Sequence, residues 1–309
     1  MKKMNYPSRL LKIESGQQFS SDQVSLFESD TNYKKTLAEK VDKAITQIID
    51  LNENSDGMTY SIELPKGISH NIGDEIKSKV VKELTAYEVR IFTSIVALAQ
   101  LAKARSELFY LEKINRAYFE VTLTQIFKLM GIAAGRGKKD GDLVKKSLLS
   151  LQSKKFIYHE DEQFIVSPLV QIHGYGTEKN IWDTSLKITV DSCFFDFAKS
   201  KKHTYFLLPF DINKRLREVN KGRPNVSVEL LVKYLYQSKH CSNVSTVEYS
   251  HSRLVDIMNL SRYIKNKNYP RIKAAIKKGF ETAKAIDLIE KVEESKNMFD
   301  ELKYVIHFK

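Results

Sequence analysis

At 309 residues the chain exceeds what a single hydrophobic core usually holds, so two domains are expected. Its 42% apolar and 28% charged residues, with only 12 Gly and 6 Pro, fit a globular, helix-rich protein and exclude disorder throughout. A net charge of +12 favours polyanionic partners, nucleic acid being the commonest.

That surplus is uneven. Residues 1–80 hold 11 basic and 12 acidic side chains, so the whole excess falls on residues 81–309. The first seven residues, Met-Lys-Lys-Met-Asn-Tyr-Pro, are followed by polar side chains instead of the apolar run of a leader, and no stretch approaches a membrane span. The expected location is the cytoplasm, without a membrane partner. Residues 1–32 read as a loose polar arm. Between 34 and 51, Leu37, Val41, Ala44, Ile45, Ile48 and Ile49 recur at helical spacing, and Met58, Tyr60, Ile62 and Leu64 then alternate as a short strand ending at Pro65. Residues 1–80 are thus expected to form an N-terminal extension.

A stronger pattern occupies residues 81–200. Thr85 with Glu88 is a capping-box signature, and Val89, Phe92, Ile95, Val96 and Ala99 carry an apolar stripe toward Arg105. Tyr118 to Leu123 alternates like a strand. Thr124 then caps a short helix containing Ile126, Phe127, Leu129 and Met130, and Gly131 ends it in a left-handed turn. After a basic turn at 135–139, Asp140 or Asp142 caps a helix with Leu143, Leu148 and Leu151 inward and Lys145 and Lys146 outward. Phe156-Ile157-Tyr158 and Phe164-Ile165-Val166, joined by an acidic turn, predict a hairpin. Helix, short helix, basic helix and hairpin in that order predict a winged helix.

The order recurs in residues 201–309. Val228, Leu231, Val232 and Leu235 mark a first helix, and Val247 with Tyr249 a strand. Ser250 or Ser252 caps a short helix with Leu254, Val255, Ile257 and Met258; Asn259-Leu260 then mirrors Gly131-Ile132 at an offset of 128. Tyr269-Pro270 begins a second basic helix whose inner face is Ile272, Ile276, Phe280 and Ala283. Residues 286–291 and 304–308 predict the strands of a wing, with 293–300 as its acidic tip. The fold class is therefore α+β and mainly helical, with two tandem winged-helix domains, 81–200 and 201–309, related by an internal repeat.

In a helix-turn-helix the second helix enters the major groove and must offer cations to phosphates and polar side chains to base edges. Residues 135–155 hold seven basic against two acidic side chains, and residues 262–284 eight against one. The expected DNA contacts are Arg136, Lys138, Lys139, Lys145 and Lys146 in the first copy. In the second they are Arg262, Lys265, Lys267, Arg271, Lys273, Lys277, Lys278 and Lys284. Arg262 and Arg271 are the candidates for reading guanine, because the guanidinium fork matches O6 and N7, whereas lysine supplies point charge. Asn266 and Asn268 suit either adenine contact or turn positions.

The segments Leu84-Thr-Ala-Tyr-Glu-Val-Arg-Ile-Phe, Phe119-Glu-Val-Thr and Leu148-Leu-Ser-Leu resemble the iteron-binding plasmid replication initiators, which are built from two winged-helix domains. The second copy and the connector, from Asp191-Ser-Cys-Phe-Phe-Asp-Phe to Leu207-Leu-Pro-Phe-Asp-Ile-Asn-Lys-Arg-Leu, extend the likeness over residues 81–309. The resemblance implies binding of direct repeats at an origin, opening of the duplex, recruitment of host replication proteins, and repression of the chain's own promoter. It also implies a homodimer through the first domain and a base-reading helix at 269–285. Residues 1–80 depart from the family pattern.

Enzymatic readings find little footing. Rolling-circle initiators need two histidines flanking one apolar residue beside a nucleophilic tyrosine, and none of the seven histidines has that spacing. Cys193 and Cys241 have no ligand-spaced partner. Gly131 to Lys138 superficially resembles a phosphate loop, but five residues separate the outer glycines and Lys139 stands where Ser or Thr would hold magnesium. No catalytic residue, metal or cofactor is expected. The alternatives are a transcriptional repressor without replication activity and a non-DNA adaptor with solvated lysine faces.

Overall fold

The computed structural model describes residues 2–15, 84–111, 116–132, 138–153, 156–160, 163–167, 170–175, 185–191, 205–220, 225–242, 245–296 and 301–309. The helix expected over 34–51, the strand expected over 58–64, and Arg136 lie outside them. Among the described residues, helix and antiparallel sheet are mixed.

The chain begins with β1 (Lys3–Pro7) and α1 (Ser8–Glu14), which corrects the loose-arm expectation for these residues. Met4, Tyr6, Leu10 and Leu11 are fully buried, each worth about 1.5–3 kcal/mol of transfer free energy. The segment owes its order to a distant partner: β1 pairs antiparallel with β8 (Tyr205–Pro209), Lys3 opposite Pro209 and Pro7 opposite Tyr205. The amide of Gln100 both donates to and accepts from the Asn5 backbone, acting as a surrogate strand neighbour.

In the first half, α2 (Ala86–Ala104) starts with the expected capping box: Glu88 N donates to Thr85 Oγ1 at 3.3 Å and Thr85 N to Glu88 Oε2 at 2.7 Å. Every residue from Glu88 to Ala99 is buried, so α2 is a central helix packed on several sides, beyond the single stripe that its periodicity suggests. Next come β2 (Phe109–Leu111), β3 (Arg116–Thr122), α3 (Leu123–Leu129) and α4 (Lys138–Ser153). The cap of α3 is Thr122, two residues before the expected Thr124, with Gln125 completing a capping box. On α4, Val144, Leu148 and Leu151 are buried while Leu143 is only half-buried. The expected hairpin forms as β4 (Phe156–Glu160) and β5 (Gln163–Ser167). It is a separate sheet, because β3 pairs with β2 and β7 (Ser185–Asp191), and β6 (Val170–Tyr175) completes the order β2-β3-β7-β6.

The second half holds α5 (Ile212–Val219), α6 (Val226–Cys241), β9 (Thr246–Ser250), α7 (His251–Ile257), α8 (Ser261–Lys265), α9 (Tyr269–Ala285), β10 (Ile289–Lys296) and β11 (Leu302–Phe308). Here β9 joins the hairpin in the order β10-β11-β9. The strands run to Lys296 and resume at Leu302, so Glu293 to Lys296, expected at the tip, lie in a strand. Ser250, not Ser252, caps α7.

The two short helices end alike. Gly131 (φ +69°) and Asn259 (φ +52°) are left-handed, and both turns close through paired backbone bonds. Ile132 N donates to Phe127 O and Leu260 N to Val255 O, both at 2.9 Å, each pair 128 residues apart. Elsewhere the described residues of the two halves differ in their strand pairings: β9 joins the second hairpin, whereas β3 pairs with β2 and β7.

A buried polar seam joins the halves. Arg90 of α2 pairs with Glu229 of α6 at 2.7 Å, and Asn213 of α5 donates to Arg90 O at 3.1 Å. Four residues along α6, Lys233 places Nζ at 2.8 and 2.7 Å from the carboxylate oxygens of Glu14 and donates to Tyr6 Oη at 3.2 Å. Tyr6 Oη in turn donates to Glu14 Oε1. Burial pushes the Glu14 and Glu229 carboxyls up, the latter to about 7, and the Lys233 ammonium down.

Candidate nucleic-acid interface

The most cationic described element is α9. Asn268 caps it, Oδ1 accepting from Arg271 N at 3.4 Å, and Pro270 sits in the first turn, where its missing N–H costs nothing. One side is pinned to the core. Ile272, Ile276, Phe280 and Ala283 are buried, Phe280 meets the Tyr304 ring at 5.4 Å, and Gly279 lies so close to α6 that a Cβ would come within 2.5 Å of Leu231 Cδ2. Asn220, at the end of α5, donates to Thr282 Oγ1 at 3.2 Å.

With that side fixed, a rotation of about 100° per residue assigns the other. Lys273, Lys277 and Lys284 form one exposed row, and Arg271 and Lys278 a second. Between the rows lie Ala274, Ala285 and Glu281, so the flanks of the face are cationic and its middle carries two small side chains and one carboxylate. The ion pair between Lys277 and Glu281 is long, at 3.9 Å, and exposed, which leaves the lysine available to an anion.

The entry to α9 adds further cations. Arg262, Lys265 and Lys267 are exposed on α8 and its following turn, where Lys267 is left-handed (φ +51°) and Asn268 N donates to Tyr263 O at 2.7 Å. Asn268 is therefore a capping residue, and Asn266 ends α8. Half-buried Tyr263 faces two guanidinium groups: Arg262 lies 5.0 Å and Arg271 6.0 Å from its ring centroid.

The first-half cluster is weaker. Lys138 and Lys139 open α4; Lys146 is exposed, and Lys145 is half-buried. The helix start is drawn inward, because Asp140 accepts from Tyr87 Oη at 3.2 Å and from Arg217 Nη2 at 3.0 Å. Asp142 and Leu149, the latter 66% exposed, share the outward face with Lys146. The second-half hairpin is charge-balanced: Lys291 meets Glu293 at 2.6 Å and Lys303 meets Glu248 at 2.9 Å. It offers phosphates little net attraction.

Two features escaped the sequence reading. The aromatic residues of Arg262-Tyr-Ile-Lys-Asn-Lys-Asn-Tyr-Pro-Arg271, including Tyr269 at 60% exposure, interleave with the cations and could have marked the turn. The buried seam was signalled only by Glu229 and Lys233 inside an apolar helix. A groove of about 250 Å³ beside α2, β3 and α3 carries Arg105, Glu107, Glu120 and Lys128, a mixed set unlike the α9 face. Among the described residues no group of three or more His, Cys, Asp or Glu could hold a metal ion, and no helix is long and apolar enough to cross a membrane. No protein-family model matches the chain, and no curated protein sequence matches it.

Proposed function

We propose that the chain binds double-stranded DNA sequence-specifically, with the second half acting as a winged helix whose α9 lies in the major groove. The observation that carries this is the outer face of α9: two cationic rows flank Ala274, Ala285 and Glu281 on a helix whose opposite side is locked into the core. A major groove about 12 Å wide admits one such helix, its rows reaching the two phosphate walls while the middle approaches base edges. In this reading the charge-balanced hairpin stands clear of the phosphates. The weaker α4 cluster makes the first half an accessory domain for phosphate contact or self-association as a homodimer. Neither a catalytic residue nor a cofactor has a part in it.

The resemblance of residues 81–309 to iteron-binding initiators supports the biological setting: recognition of direct repeats at a plasmid origin, duplex opening, recruitment of host replication proteins and repression of its own promoter. Footprinting on DNA flanking the gene tests this, comparing the native chain with Lys273→Glu/Lys277→Glu. Repeated protected sites, lost in the variant, are expected. If six to eight phosphates are neutralised, log affinity should fall against log salt with a slope of about −5 to −7. Equal protection by the variant, or a slope near zero, would refute the reading. Protection confined to a promoter, on a plasmid that replicates without the gene, would favour a repressor.

A further inference from the structure

We propose that Tyr263 is a positioning residue that presets Arg262 and Arg271 for reading guanine at the start of α9; this rests on the DNA-binding reading above. Two arginines share one aromatic ring here, their guanidinium carbons 5.0 and 6.0 Å from its centroid, and Arg262 Nη2 also donates to Tyr263 Oη at 3.3 Å. The ring quadrupole attracts each cation, but the two cations repel one another. Such a pair is most useful when a third, electron-rich group completes it. Among the described residues no carboxylate pairs with Arg271, so its fork is open to an incoming acceptor. Guanine presents O6 and N7 with the spacing that the fork matches.

The platform is rigid for local reasons. Tyr263 packs against the hydrophobic core, and its carbonyl accepts from Asn268 N at 2.7 Å, closing the turn that begins α9. The left-handed Lys267 makes that closure possible. Arg271, three residues past the Asn268 cap, therefore emerges beside the ring, at the end of the helix that a helix-turn-helix presents to bases. A free arginine must lose much rotamer freedom to make a bidentate contact; drawn toward a fixed ring, it has lost part of that freedom before DNA arrives.

Selection from duplexes carrying 20 randomised base pairs tests the idea, using the full chain, Tyr263→Met, Tyr263→Phe and Arg271→Lys. The native chain should enrich a motif with a guanine that Arg271→Lys no longer requires. Tyr263→Met, which keeps an apolar stem without a ring face, should weaken preference at that same position about tenfold. Its salt slope and its affinity for random duplex should stay unchanged, and Tyr263→Phe should restore most of the preference. Native base preferences in Tyr263→Met would overturn the proposal, as would parallel loss of specific and random binding. A guanine preference surviving in Arg271→Lys would overturn it even if Tyr263→Met failed to fold. If the native chain binds no duplex, the DNA-binding reading falls and this inference with it.

Discussion

Replacing Lys233 with Met should be the most costly single change in the seam. Its three ammonium N–H groups are all engaged, two by Glu14 and one by Tyr6, and the two side chains are 1% and 0% exposed. Without the ammonium, Glu14 keeps one donor, Tyr6 Oη, and an uncompensated negative charge in the core. Breaking a buried pair from one side costs about 3–5 kcal/mol, a large part of the roughly 5–15 kcal/mol that holds a domain folded. The loss should depend on pH. Burial already raises the Glu14 carboxyl above 4.5, and Lys233 is its largest opposing influence, so the variant raises it further. A carboxyl raised in the folded state penalises folding above its folded pKa, and the penalty fades as pH falls through that value toward 4.5. Urea unfolding followed by far-ultraviolet circular dichroism should therefore show a wider gap from the native chain at pH 8 than at pH 5. Glu14→Leu/Lys233→Met, which removes both charges, should return to within about 1 kcal/mol of the native chain. A cost below about 1 kcal/mol, or one equal at the two pH values, would refute the reasoning.

The neighbouring pair makes a related prediction. Carboxyl NMR of Glu229 should show a midpoint near 7, burial outweighing the attraction of Arg90. Because this value exceeds the unfolded 4.5, Glu229 costs about 3 kcal/mol above pH 7, and the cost is relieved as pH falls toward 4.5; a midpoint below 5 would contradict it. The matched turns should respond oppositely to substitution. Gly131→Ala meets both a positive φ and the Lys214 backbone, whose Cα would lie 2.7 Å from the new Cβ, and should cost about 2–3 kcal/mol in thermal unfolding. Asn259→Gly, at φ +52°, should be neutral or mildly stabilising, and a loss above about 1 kcal/mol would count against the account.

What could be read in advance was local. Thr85 with Glu88, Ser250 as one of two candidate caps, Pro270 in a first turn and Gly131 and Asn259 after short helices each act within five residues, so chain order alone revealed them. The outer face of α9 was legible for the same reason: once Ile272, Ile276, Phe280 and Ala283 turn inward, helical geometry puts Lys273, Lys277 and Lys284 outside. Near misses were local too, as with Thr122 capping a helix assigned to Thr124 two residues later.

Strand partners and buried charges obey no such short-range rule. Nothing in the first seven residues names Tyr205 to Pro209 as a mate, and β3 found β7 in place of the nearer hairpin because sheet hydrogen bonds close between segments that only the packed chain brings together. Lys233 stands out inside an apolar helix, but nothing near it names Glu14, 219 positions away, as its partner; packing made them a pair. The same packing turned Asp140 toward Arg217 and drew the start of α4 inward, while α9 kept its cations exposed. Helix caps and faces follow from bonds a few residues long, whereas desolvation and sheet pairing depend on which distant surfaces meet.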